Sequence, residues 1–171
     1  MRRAALCILC VSSAMAAGCW GQLPVAKPYR SQLDPLALRQ LQTQEFETSK
    51  ATLYASTVSV FQDSGFVVET GDLATGIITA KSPATRAELK DYFWMKVGSG
   101  EVVEERATAF VEEFIAGHAR VRVNFIVKRF FPSIVAVVSS ENPIEDPSYY
   151  ERFFDKIREA VFLREAHTAA E

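Results

Sequence analysis

Cysteine is nearly absent from this chain and wholly absent from its body: the 171 residues contain three, Cys7, Cys10 and Cys19, all at the N-terminal end. No disulfide framework, Cys-ligated zinc site or cysteine nucleophile therefore lies downstream of residue 19. Histidine is almost as scarce. His118 and His167 are the only two, without H-x-x-x-H spacing, so no metal site is expected and no cofactor is implied. Neither sign of charge dominates: 19 basic residues face 21 acidic ones, a formal net charge of -2, which gives no large positive field for nucleic acid. No apolar run reaches the roughly 20 residues of a membrane-spanning helix. Gly98-Ser99-Gly100 lacks the phosphate-loop lysine, and no G-x-S-x-G occurs. The neighbours Glu104-Glu105 and Glu112-Glu113 fall in strand-like stretches, where adjacent side chains point to opposite faces, so neither pair is an acid–base dyad. No catalytic residue is assigned, and a non-enzymatic role is expected.

What remains is the composition of one ordinary globular domain, with 49% hydrophobic and 23% charged residues. Its address is written at the N-terminus. Met1-Arg2-Arg3 is a positive start, and Ala4 to Met15 is an apolar stretch of about a dozen residues ending in small side chains, the layout of a secretory signal peptide. Two cleavage readings follow. Ala14-Met15-Ala16 fits A-x-A processing, which releases a soluble periplasmic protein. Ala16-Ala17-Gly18-Cys19 resembles the bacterial lipobox, with Ala16 where Leu is usual; cleavage before the cysteine then leaves Cys19 as a lipid-modified first residue. The second reading leads, because simple secretion leaves one unpaired thiol in an oxidising compartment. Several acyl chains such as palmitate anchor stably, at about 0.8 kcal/mol per buried CH2. By resemblance to sorted lipoproteins, Trp20 rather than Asp after the cysteine points to the periplasmic face of the outer membrane. Loss of Arg2 and Arg3 with a signal peptide of residues 1–18 takes the 19 basic residues to 17 against 21 acidic ones, a net charge of -4.

Residues 19–43 carry Pro24, Pro28 and Pro35 without sustained periodicity and read as a tether, with a short helix at Leu36 to Leu41. About 23 flexible residues span about 25 to 30 Å. A single domain is expected over residues 44–166, with 167–171 as a tail. Gln44 to Glu47 reads as extended, and Thr48 or Ser49 caps a helix to Asp63 that Ser64-Gly65 ends. Ala51, Tyr54, Ala55, Val58 and Phe61 fall on one face of it. Phe66 to Thr70 and Thr75 to Lys81 read as a hairpin turning at Gly71-Asp72. Ser82-Pro83 reads as a cap and first helical residue, opening a helix from Ala84 to about Val97. Arg106 to Ile115 and Ala119 to Phe130 form a second hairpin about Gly117-His118, and Val121, Val123, Phe125 and Val127 alternate with Arg120, Arg122, Asn124 and Lys128. Ile134 to Ser139 adds a strand. Asp146-Pro147 opens a last helix striped by Tyr150, Phe153, Phe154, Ile157, Ala160 and Val161. This order predicts an α+β domain, a mainly antiparallel sheet with helices packed on one face.

Three stretches then act together: Phe46-Glu47-Thr48 leading to Phe61-Gln62-Asp63-Ser64-Gly65-Phe66, Thr75-Gly76-Ile77-Ile78-Thr79-Ala80-Lys81, and Asp146-Pro147-Ser148-Tyr149-Tyr150-Glu151-Arg152-Phe153-Phe154. They look like a group of poorly characterised bacterial outer-membrane lipoproteins whose domain is similar to the helix-grip domains of BamC, an accessory lipoprotein of the β-barrel assembly machinery. The resemblance covers about residues 44 to 165, and its matching residues are fold-making glycines, caps and aromatics. The lone domain departs from the two-domain BamC layout. What the resemblance implies is a helix-grip fold and a non-enzymatic envelope lipoprotein that binds protein or the cell wall.

Two surface features carry candidate contacts. Arg120, Arg122 and Lys128 share a strand face, with Arg129 close by, and suit acidic headgroups or a partner's carboxylates unless Glu112 or Glu113 pairs with them across strands. Tyr92, Phe93 and Trp94, followed by Met95, are too many consecutive large residues for one helical stripe, so one or two are expected outside as an anchor for a partner or the membrane interface. The leading expectation is a lipid-anchored periplasmic binding or scaffold module assisting an outer-membrane or envelope complex. The alternative is a carrier holding an apolar ligand or lipid between the C-terminal helix and the sheet.

Overall fold

The computed structural model of the chain describes residues 31–86, 102–132 and 137–169. The signal segment, Cys19, Tyr92, Phe93 and Trp94 lie outside the described residues. Asp34 accepts the Leu36 N–H at 3.1 Å with Pro35 in the first turn, and helix α1 (Pro35–Leu41) follows. Gln42 after it is buried, and its Nε2 donates to Asn124 at 3.1 Å. The fold thus reaches back into the stretch that composition assigns to the tether. α1 itself matches the short helix expected at Leu36 to Leu41, whereas one buried amide carries no apolar stripe to announce it. Strand β1 (Thr43–Phe46) leads to helix α2 (Lys50–Asp63), where Ser49 Oγ accepts the Thr52 N–H at 3.2 Å. Thr48, the other candidate cap, is buried and donates to Glu165 at 2.6 Å. α2 buries Leu53, Ser56, Thr57, Val60 and Phe61; of the predicted face Phe61 is fully buried, Tyr54, Ala55 and Val58 are half-buried, and Ala51 is exposed. Small hydroxyl residues fit this close contact, and Thr57 Oγ1 is satisfied by the Leu53 carbonyl at 2.8 Å.

Strands β2 (Val67–Asp72) and β3 (Ile77–Lys81) form the first hairpin. The turn falls at Leu73–Gly76, later than the expected Gly71-Asp72. The cause is Asp72, whose carboxylate accepts the N–H of Ala74 at 2.9 Å and the hydroxyl of Thr75 at 2.8 Å, so the chain reverses after it. These bonds hold the Asp72 carboxyl below the usual range. The expected helix from Ala84 is corrected at its start: Thr85–Arg86 is strand β4, paired with Val102 and Val103. Ser82 bonds into the sheet instead of capping, with its N–H on the Glu105 carbonyl and its Oγ accepting the Glu105 N–H, both at 2.8 Å. Residues 87–97 of that expected helix lie outside the described residues.

The long strands β5 (Val102–Ile115) and β6 (His118–Pro132) form the centre, and β7 (Val137–Pro143) pairs with the second half of β6. All pairings are antiparallel, in the order β1-β6-β5-β3-β2, with β4 beside β5 and β7 beside β6. Helix α3 (Pro147–Thr168) begins as expected: Asp146 accepts the Ser148 N–H at 3.0 Å and Pro147 occupies the first turn. It runs through His167, which therefore belongs to the last helical turn rather than to a tail.

The expected fold class holds: α2 and α3 pack together on one face of an antiparallel sheet. Inward positions are Ile78 and Ala80 of β3, Ala107, Ala109 and Val111 of β5, and Ala119 to Phe125 at every second residue of β6. Alanines on the middle strand leave room for rings. Phe61, Phe125 and Phe153 meet at centroid distances of 5.0 to 6.3 Å, with Tyr150 5.5 Å from Phe125. Tilted and edge-on pairs of this kind add about 0.5 to 1.5 kcal/mol each beyond area burial. Tyr150 is fully buried and donates its hydroxyl to the Ile144 carbonyl at 3.0 Å.

Candidate binding surfaces

The sheet face opposite the helices is bare among the described residues. Its middle row runs Ile77–Phe110–Arg122–Thr43 across β3, β5, β6 and β1, with a polar row Thr79–Thr108–Asn124 beside it. Arg120, Arg122 and Lys128 all belong to this face, as the alternation predicts. Two of them are engaged: Arg120 Nε meets Glu112 at 2.7 Å and Lys128 Nζ meets Glu141 at 3.1 Å. Arg120 also lies 5.7 Å from the centroid of Phe114. Arg122 sits between Phe110 and Thr43 with no carboxylate partner among the described residues. Arg129 takes the alternate pleat position, opposite Val103 and Ser140, and so does not join the other three. Glu104 and Glu105 separate as expected, Glu104 to Arg106 at 2.7 Å and Glu105 to the Tyr149 hydroxyl at 2.9 Å.

The two ends of the domain differ. Ser31 and Gln32, the first described residues, bond to Glu145 just before α3. The other end gathers the β5–β6 turn, the β2–β3 turn and the last turns of α3. Three contacts tie them: Phe46 pairs with Ala119, Thr48 bonds Glu165, and Lys50 Nζ reaches the Ala74 carbonyl at 2.9 Å. Leu73, Phe114, Ile115, Phe162 and Leu163 are all exposed here, Ile115 by 61% and Phe162 by 70%. α3, about 33 Å long for its 22 residues, runs from beside Glu145 to this apolar end. Sequence reasoning missed it, although Phe114-Ile115 breaks the alternation of β5 just before the turn.

The space between α3 and the sheet, where a carrier would hold an apolar ligand, is filled by Phe61, Phe125, Phe153 and Ile157. Depressions open instead on the flanks of α3. One, of about 560 Å³, lies among the end of α2, the β3–β4 connection and the first turns of α3, and includes Phe66, Ser82, Glu105, Tyr149 and Arg152. Burial pushes the Tyr149 phenol well above its ordinary pKa, and its bond to Glu105 pushes the same way. The other, of about 380 Å³, lies between Leu41 and Thr43 on one side and Phe154 and Arg158 on the other. Among the described residues no cluster of three or more His, Cys, Asp or Glu could hold a metal ion, and no helix is long and apolar enough to cross a membrane. No known family model matches the chain, and no curated protein matches it either.

Proposed function

We propose that the protein is a non-catalytic, lipid-anchored periplasmic binding module that assists an outer-membrane or envelope complex, held by acylated Cys19. The observation that carries this reading is the polarity of the domain. Ser31 and Gln32, which would follow the proposed tether, bond Glu145, and the exposed apolar side chains of Ile115, Phe114 and Phe162 lie at the far end of α3. A domain anchored at one end presents such a surface away from the membrane, toward a protein partner. Arg122 and Phe110 on the bare sheet face offer a second exposed surface. The resemblance to BamC-like lipoproteins agrees with this role.

The test is in-cell photocrosslinking from Ile115 and Phe162, combined with fractionation of the wild type and of Cys19→Ala. The expected result is a discrete crosslinked envelope protein and a membrane-bound wild type, with Cys19→Ala moving to the soluble fraction. Unchanged fractionation of Cys19→Ala removes the anchor. Absence of any product from both positions removes the binding role.

A further inference from the structure

The cleft at the tether end of α3 has an imbalance of hydrogen-bonding capacity. Arg152 and Lys156, one helical turn apart on α3, both line it. Their partners in the structure are hydroxyls only: Arg152 Nη1 donates to Ser148 at 3.1 Å and Lys156 Nζ donates to Ser64 at 3.3 Å. Most of their N–H groups are therefore unspent among the described residues. Ser64 and Ser82 each act as acceptors, from Lys156 Nζ and from the Glu105 N–H, so each hydroxyl keeps its proton to donate. The acceptors at the same place are already engaged. The Val60, Phe61 and Gln62 carbonyls at the end of α2 take the N–H groups of Ser64, Phe66 and Gly65, at 2.9 to 3.0 Å. Among the described residues Glu105 is the carboxylate that lines the cleft, and it holds the Tyr149 hydroxyl at 2.9 Å. Glu151 and Asp155 of α3 line the depression on its other flank.

We infer that this cleft binds a phosphate group, either as the free anion or in a lipid headgroup. Four donors from three separate segments suit an anion with several acceptor oxygens around one centre, and a guanidinium with an ammonium supplies the charge. The volume of about 560 Å³ is that of a small-ligand site, and Phe66, Phe153 and Pro83 provide an apolar wall beside the donors. The shared chemistry is the phosphate, whether free or in a lipid headgroup. The inference rests on the cleft alone and does not need the anchor or the protein partner.

Lys156 also offsets the carbonyl end of α2, a structural role that acts at any phosphate concentration. The test separates the two roles. The full chain carrying Cys19→Ala, which cannot be acylated there, is titrated with inorganic phosphate, with short-chain phosphatidylglycerol below its micelle concentration and with short-chain phosphatidylcholine. Backbone amide shifts and thermal midpoint are read. The expected result is saturable shifts at Ser64, Gly65 and Ser82, with at least about tenfold weaker binding in Arg152→Gln and Lys156→Gln and unchanged binding in Arg158→Gln on the opposite flank. Tighter binding of phosphatidylglycerol than of inorganic phosphate assigns the lipid source, and equal binding assigns the free anion. No saturable shift with any of the three, or an affinity indifferent to Arg152→Gln and Lys156→Gln, overturns the inference.

Discussion

Gly76 and Gly65 offer a controlled comparison, because the two share a backbone conformation and differ in surroundings. Their φ values are 80° and 84°, both in the left-handed region. An alanine in that region costs about 1 to 2 kcal/mol at either site. At Gly65 nothing lies within 4 Å of the position a Cβ would take, so that cost is the whole effect. At Gly76 the same Cβ falls 2.0 Å from the Val111 carbonyl oxygen, which is backbone of the central strand β5 and has no rotamer to change. Relief requires the β2–β3 turn to move away from β5. That movement strains the bonds from Gly76 N–H to the Asp72 carbonyl and from Val111 N–H to the Gly76 carbonyl, each 2.8 Å. Overpacking of this kind costs about 1 to 3 kcal/mol, and each weakened bond about 0.5 to 1.5 kcal/mol. Gly76→Ala should therefore destabilise by about 3 to 8 kcal/mol, against about 1 to 2 kcal/mol for Gly65→Ala. Urea unfolding followed by circular dichroism measures both on one scale, with the slope m checked for constancy. For a chain of this size the gap of about 2 to 6 kcal/mol corresponds to about 5 to 25 °C in thermal midpoint. If the two variants unfold within about 0.5 kcal/mol of each other, the close approach at Gly76 does not control the fold and the reasoning fails.

Two phenylalanines of similar sequence setting should behave oppositely: Phe125→Ala, in the aromatic cluster, should cost about 3 to 5 kcal/mol, whereas Phe110→Ser on the bare face should cost less than about 1 kcal/mol. Comparable losses in chemical denaturation would mean that the sheet faces are assigned the wrong way round. The pH dependence of stability should carry the mark of Tyr149. Its folded pKa lies above that of the unfolded chain, about 10, so the unfolded state ionises first. The contribution is therefore complete below about pH 10 and declines as pH rises beyond it, by at most about 1.4 kcal/mol per pH unit and less for the solvated share of the phenol. Tyr149→Phe should flatten this decline while Tyr150 keeps its own part, and denaturant melts between pH 9 and about 11.5 that show an unchanged slope would rule the assignment out.

The fold itself was legible where local chemistry decides the outcome. Asp146-Pro147 starts α3, and the stripe from Tyr150 to Val161 faces the core, because capping and a 3.6-residue period act within a few residues. The alternation of Val121, Val123 and Phe125 with Arg120, Arg122 and Asn124 placed the buried face of β6, because a strand exposes alternate sides. Legibility ended where a residue's partner is distant in the chain. Thr85–Arg86 is a strand only because Val102 and Val103 offer a ladder, and Ser82-Pro83 has the same local signature in either case. α2 turned its buried face toward Ser56 and Thr57 because close packing rewards small side chains, which a hydrophobicity pattern scores as surface.

The candidate surfaces divide in the same way. By itself the sequence determined the α+β architecture and the strand face shared by Arg120, Arg122 and Lys128, both of which depend on neighbours in the chain. Only the tertiary structure decided that Glu112 and Glu141 engage two of those cations, and that Ser31 and the apolar end of Ile115 and Phe162 lie at opposite ends of α3. It alone brought Ser64, Ser82, Arg152 and Lys156 to one cleft. These are relations between segments far apart in sequence, and they exist only once the sheet has brought those segments together.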